Sequence, residues 1–112
     1  MPILKFSTPW NKRKGRTGCK LDLQCFSSIR LKQAKYKVGE KFEIEMNGFS
    51  YGIAQIVDVR EFKLAQMSEG MARLDTGYGK EECIGIIKKM YPSVDYETQP
   101  FVFITLNYLD GV

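Results

Sequence analysis

The sequence contains no histidine at all. That absence excludes Ser-His-Asp and Cys-His nucleophilic chemistry, a histidine general base and every histidine-rich metal cluster. There are only three cysteines, an odd number, at positions 19, 25 and 83. Their spacing makes neither a disulfide framework nor a zinc site, so free buried or half-buried thiols are expected, with Cys25 as a small buried hydrophobe. A reducing, cytoplasmic setting follows as the default. Four prolines in 112 residues, 44% hydrophobic and 27% charged, are ordinary for a folded domain and exclude collagen-like, repeat or wholly disordered chains. Apolar runs stay far below the roughly 18 residues of a membrane helix, and Met1-Pro2-Ile3-Leu4-Lys5 lacks the apolar core of a signal peptide. The length fits one domain over 1–112.

What is present is a lopsided charge. The net charge is +4, but residues 1–41 carry eleven basic and two acidic side chains, and residues 42–112 carry six basic and eleven acidic ones. A one-sided basic block is the electrostatic footprint of a polyanion partner, because each phosphate contact releases counterions. Its densest part is Lys12, Arg13, Lys14 and Arg16, inside a Gly- and Pro-punctuated basic loop at about 9–20. The alternative is a solvated basic loop without a ligand. Trp10 at its start is placed either to stack on an unpaired base or to anchor the loop in the core.

Along the chain, Ile3 to Phe6 reads as a first strand. Leu21 to Leu31 alternates as a second, most strand-like over Phe26–Leu31. Phe42, Ile44 and Met46 alternate strictly, and Asn47-Gly48 is a hairpin turn leading into a long return strand, Phe49 to Phe62, with Gly52 marking a bulge. Leu64, Met67, Met71 and Leu74 recur at helical spacing. A second helix is predicted over 80–90, with Cys83, Ile84, Ile86, Ile87 and Met90 inward and Glu81 and Glu82 in the first turn; Tyr91-Pro92 ends it. Phe101 to Leu106 is the most strand-prone run and closes the fold. The pattern predicts a mostly β, α+β domain, a small barrel with two helices inserted before the last strand, with Phe42, Ile44, Met46, Ile56, Phe101 and Phe103 in one core.

This ordered set resembles the ASCH family, whose fold is a PUA-like β-barrel. The resemblance rests on Gly18-Cys19-Lys20, the strand Ser27-Ser28-Ile29-Arg30, the turn Lys37-Val38-Gly39-Glu40, the long strand Ala54–Arg60, the Tyr91-Pro92 stop and the last strand Phe103-Ile104-Thr105-Leu106. It implies binding of RNA or a modified nucleotide in a cleft beside the barrel. In that setting Lys20, Arg30 and Tyr78 join Trp10, Lys12, Arg13, Lys14 and Arg16 as nucleic-acid contacts. One small bacterial branch hydrolyses the acetyl amide of 4-acetylcytidine with a lysine, a threonine and a glutamate. Aligned on Arg30, that threonine falls on Ser28 and the lysine on Cys25; Lys20 takes the lysine's place only if Leu21–Cys25 is an insertion. Counted back from Tyr91-Pro92, the glutamate falls on Thr76, with Asp75 beside it.

The residues allow the same chemistry to be weighed directly. Amide hydrolysis without histidine or metal needs a nucleophile, which Ser28, Cys25 or a water could supply, and a charged proton shuttle; for these roles the resemblance points to Lys20, Ser28 and Asp75 as the catalytic candidates. Each has a plain structural alternative: Ser28 as a strand residue, Asp75 as a turn residue, Arg30 as an ion-pair partner inside the barrel. Asp75-Thr76-Gly77-Tyr78-Gly79, opening a helix, is either an anion cradle or a simple link. Three function classes therefore remain: a nucleic-acid or nucleotide-binding module, a metal-independent amidohydrolase acting on an acylated nucleoside, and a phage- or prophage-type module whose basic face binds an acidic protein. No cofactor, metal or membrane partner is expected, and the oligomeric state is left open.

Overall fold

A computed structural model describes residues 1–7, 10 and 19–109. Lys12, Arg13, Lys14 and Arg16 lie outside the described residues. Five strands, β1 (Ile3–Phe6), β2 (Cys25–Leu31), β3 (Lys41–Met46), β4 (Phe49–Phe62) and β5 (Phe101–Tyr108), form one sheet in the order β1-β3-β4-β5-β2. Two helices, α1 (Glu69–Thr76) and α2 (Lys80–Met90), stand between β4 and β5. β1 runs parallel to β3, and all other neighbours are antiparallel.

Local chemistry explains the joints. Asn47 and Gly48 have φ of 51° and 87°, the two positive values of a type I′ turn, so Met46 pairs directly with Phe49. Two register shifts bend the sheet. Ile44 pairs with Gly52 while Glu45 pairs with Ser50, and Ile56 pairs with Leu106 while Asp58 pairs with Thr105. Each leaves one β4 residue unpaired, Tyr51 and Val57, which bends the strand and increases its twist. The curl brings the two outer strands together without pairing them: the Arg30 guanidinium of β2 donates to the Lys5 carbonyl of β1 at 2.8 Å, and the Phe6 and Phe26 rings lie 6.2 Å apart. The result is a barrel with one seam.

Apolar residues bury on both sides of β5. Val102, Ile104 and Leu106 face the barrel interior with Leu4, Phe26, Phe42, Ile44 and Ile56. Phe101 and Phe103 face the opposite way, onto Phe62, Met67, Ala72, Cys83 and Ile87 beneath the helices. The single core expected for Phe42, Ile44, Met46, Ile56, Phe101 and Phe103 is thus divided. With a side-chain period of two, a continuous apolar strand serves two faces. Met46 is only partly buried.

Two expected boundaries shift. β2 starts at Cys25, because Lys20–Asp22 forms a tight helical turn, and Cys25 is exposed while Cys19 and Cys83 are buried. The helix read from Leu64 begins only at Glu69: a separate turn spans Leu64–Gln66, and Ser68 caps α1 by accepting the Met71 N–H at 3.0 Å. That phase turns Leu74 outward, 66% exposed, and buries Ala72, Asp75 and Thr76 instead. α2 spans 80–90 as predicted, although Met90 is exposed. No helix among the described residues is long and apolar enough to cross a membrane.

Candidate functional site

Lys20 begins the tight turn that follows the basic loop. The turn is held by the Cys19 N–H donating to the Asp22 carboxylate at 2.7 Å and by the Lys20 N–H donating to the Trp10 carbonyl at 3.0 Å. This backbone aims the lysine side chain inward, where it is 3% exposed. Lysine is almost never buried so completely without a partner. Its partner is Asp75, in the last turn of α1. The ammonium donates to the Asp75 carbonyl at 2.7 Å and to Oδ1 at 3.0 Å.

The pairing resolves a conflict at the helix end. A buried carboxylate near a helix C-terminus is disfavoured by the macrodipole, and a cation there is favoured. Lys20 offsets both the carboxylate and the exposed carbonyls at one point. Ser27 adds a third bond, its hydroxyl donating to Asp75 Oδ1 at 2.9 Å. Burial pulls the Lys20 ammonium below its ordinary range; Asp75 opposes that shift and Arg30 adds to it.

Arg30 occupies the seam. Its Nε donates to Ser28 Oγ at 2.8 Å, a terminal nitrogen donates to the Lys5 carbonyl at 2.8 Å, and the guanidinium lies 4.7 Å from the centre of the Phe6 ring. Among the described residues none of its partners is a carboxylate, and in place of the expected buried ion pair it has a neutral hydroxyl, a carbonyl and an aromatic face. Between Arg30 and the Lys20–Asp75 pair lies a cavity of about 60 Å³, walled also by Ser28, Trp10, Ile87 of α2 and Tyr91 just after it.

The structure therefore brings Lys20, Asp75, Ser28, Arg30 and Trp10 to one cleft, and Lys20 and Asp75 touch. Ser28 reaches the cleft, but its oxygen accepts from Arg30; the hydroxyl that meets Asp75 belongs to Ser27, which sequence reasoning missed. The available signal was the adjacent serine pair itself, since neighbours in a strand buried on both faces point to opposite sides. Trp10 is half-buried against the barrel core and meets the edge of Tyr78, ring centres 6.4 Å apart, while Tyr78 is 45% exposed. Thr76 turns away from the pair, donating to the Ala72 carbonyl at 2.9 Å and accepting the Tyr78 N–H at 3.1 Å.

The link Asp75–Gly79 is not open as an anion cradle. The Lys80 N–H at the start of α2 donates to Glu69 Oε2 at 2.9 Å, and a Cβ on Gly79 would come within 2.9 Å of Glu69 Oε1. The protein fills this place with its own carboxylate, and the hydrogen bond holds Glu69 below the ordinary carboxylate range. Among the described residues no three acidic or cysteine side chains converge as metal ligands.

No family model and no curated protein matches the chain. Among solved structures, the chain is similar to the crystal structure of an ASCH domain from Lactobacillus crispatus JV V101, with a TM-score of 0.60 and 16% identity, covering 79% of this chain and 66% of that one. The chain thus spans just under two thirds of that protein's length. The likeness is one of fold: five mixed strands curled into a barrel with two helices, as in an ASCH or PUA-like domain.

Proposed function

We propose that this ASCH-fold chain binds RNA or a modified nucleotide at the β1–β2 seam. The observation that carries the reading is the charge of the cleft: among the described residues Lys5, Lys20 and Arg30 line it against a single carboxylate, Asp75, and Trp10 stands beside them. Arg30, only half-buried and held by neutral acceptors, is the cation best placed to exchange an internal acceptor for a phosphate or base-carbonyl oxygen. Lys12, Arg13, Lys14 and Arg16 supply longer-range attraction. Trp10 is the sole tryptophan, so its fluorescence reports on the site directly. Titration with short mixed-sequence single-stranded RNA is expected to change that signal, and Arg30→Ala is expected to weaken binding about tenfold, the loss of one charged hydrogen-bonding group. RNA without effect on the fluorescence or on its own anisotropy would end the reading.

A second reading has one observation in its favour: Lys20, Asp75 and a serine hydroxyl form a connected, buried network. A metal-independent amidohydrolase acting on an acylated nucleoside such as 4-acetylcytidine needs that combination of cation, carboxylate and hydroxyl. Against it, Oδ1 of Asp75 is already engaged by both Lys20 and Ser27, and Ser28 is engaged by Arg30. Purified protein incubated with 4-acetylcytidine is expected to release no acetate. Release that Lys20→Ala and Asp75→Ala both abolish would replace the binding module with the enzyme. Capture of an acidic protein, with neither RNA binding nor turnover, would favour the protein-interaction module.

A further inference from the structure

We infer that the β1–β2 seam is the ligand's entrance and that Arg30 is its latch, released when a phosphate of the bound nucleic acid takes the place of the Lys5 carbonyl. The inference rests on the binding reading above. The cavity of about 60 Å³ is well below the roughly 150 Å³ that admits a benzene-sized ring. A nucleobase does not fit, so occupancy requires a wall to move. The walls differ greatly in how they are held. β2 pairs along its whole length with β5, from Cys25 opposite Asn107 to Leu31 opposite Phe101. β1 is four residues long and, among the described residues, pairs on one side only, with β3.

The backbone of β1 alternates accordingly. The Pro2 and Phe6 carbonyls accept from Glu43 and Asn47 on the β3 side. The Lys5 carbonyl points the other way and takes the Arg30 guanidinium. No strand-to-strand ladder closes the seam among the described residues; a side chain does, packed on Phe6 of the same edge strand. A guanidinium bonds a phosphate more strongly than a neutral carbonyl. Phosphate binding at Arg30 therefore withdraws the group that holds β1 shut.

Hydrogen exchange on the full chain tests this. With saturating short single-stranded RNA, amides of residues 3–6 are expected to exchange about threefold faster or more, while residues 27–31 become protected, a local opening rather than global unfolding. Arg30→Met should speed exchange in residues 3–6 without RNA and leave β4 and β5 unchanged. Arg30→Lys, which keeps charge but not the two-pronged geometry, should lie between. RNA that binds and leaves residues 3–6 unchanged or slower would overturn the latch and leave the binding reading standing. Failure of RNA to bind would remove the binding reading; unchanged β1 exchange in both Arg30 variants would remove the latch.

Discussion

At the residue scale the decisive object is the Lys20–Asp75 pair. Two charges at 3.0 Å, both nearly out of water, are weak grounds for stability as a pair but costly to break singly, because the survivor is left buried without compensation. Lys20→Met or Asp75→Asn alone is expected to destabilise by about 3–5 kcal/mol, and the double variant by less than the sum of the two. Denaturant unfolding of the three variants measures the coupling; strict additivity would mean that the ions act independently. The same pair sets a pH dependence. Burial holds the Lys20 pKa below the ~10.4 of an unfolded chain. Between the two values the unfolded chain keeps a proton that the folded chain has released, so stability rises with pH through that alkaline interval. The wild type should therefore gain on Lys20→Met as pH climbs toward 10.4, since other titrating groups cancel in the difference. A gap that closes as pH rises would show that Asp75 outweighs burial.

At the element scale, α1 carries Asp75 and its ends set the carboxylate's position. Ser68 fixes the start and Gly77, in the left-handed region at φ 84°, fixes the end, its N–H donating to the Arg73 carbonyl at 2.9 Å. Gly77→Ala places a Cβ in that conformation at a cost of roughly 1–2 kcal/mol, which should lower the melting temperature by several degrees. An unchanged melting temperature would show that the helix end relaxes freely. The same helix shows what the sequence made legible and what it did not. Asn47-Gly48, the alternation of Phe42 and Ile44, and α2 from 80 to 90 followed from local rules, because turn chemistry and period act within a few residues. The phase of α1 did not, because its inward face is Ala72, Asp75 and Thr76, and a polar face reads as solvent-exposed until a lysine 55 positions away is known to meet it. Lys20 and Asp75 were each legible as candidates, but their contact was not. Ser27 was lost to Ser28 for a related reason: a strand with helices on one side and a barrel on the other has no polar face to mark.

At the scale of the whole molecule, the barrel supplies a seam and the chain's charge distribution supplies attraction toward it. Seventeen basic and thirteen acidic residues leave a net charge too small to hold a polyanion by itself, so what matters is the concentration of eleven basic residues in the first 41 positions. Arg30 and Lys20, within that stretch, line the cleft. Lys12, Arg13, Lys14 and Arg16 lie between Trp10 and Lys20 in sequence, and Lys20 donates its N–H to Trp10, so both ends of that segment meet at the cleft. The two groups of cations should therefore separate experimentally. Removing Arg30 deletes one short-range contact and changes the salt slope of RNA binding by about one ion's worth or less. Replacing Lys12, Arg13, Lys14 and Arg16 together with alanine removes up to four phosphate contacts, each contributing roughly 0.7 to the slope of log K against log salt for a single strand. The quadruple variant should bind weakly at low salt and lose little more as salt rises, with an association rate reduced more than its dissociation rate is raised, since steering acts on encounter. Fluorescence-anisotropy titrations across a salt series, paired with stopped-flow rates, read both quantities. An unchanged slope with weaker binding would place the four cations outside the nucleic-acid interface and leave the seam alone to hold the ligand.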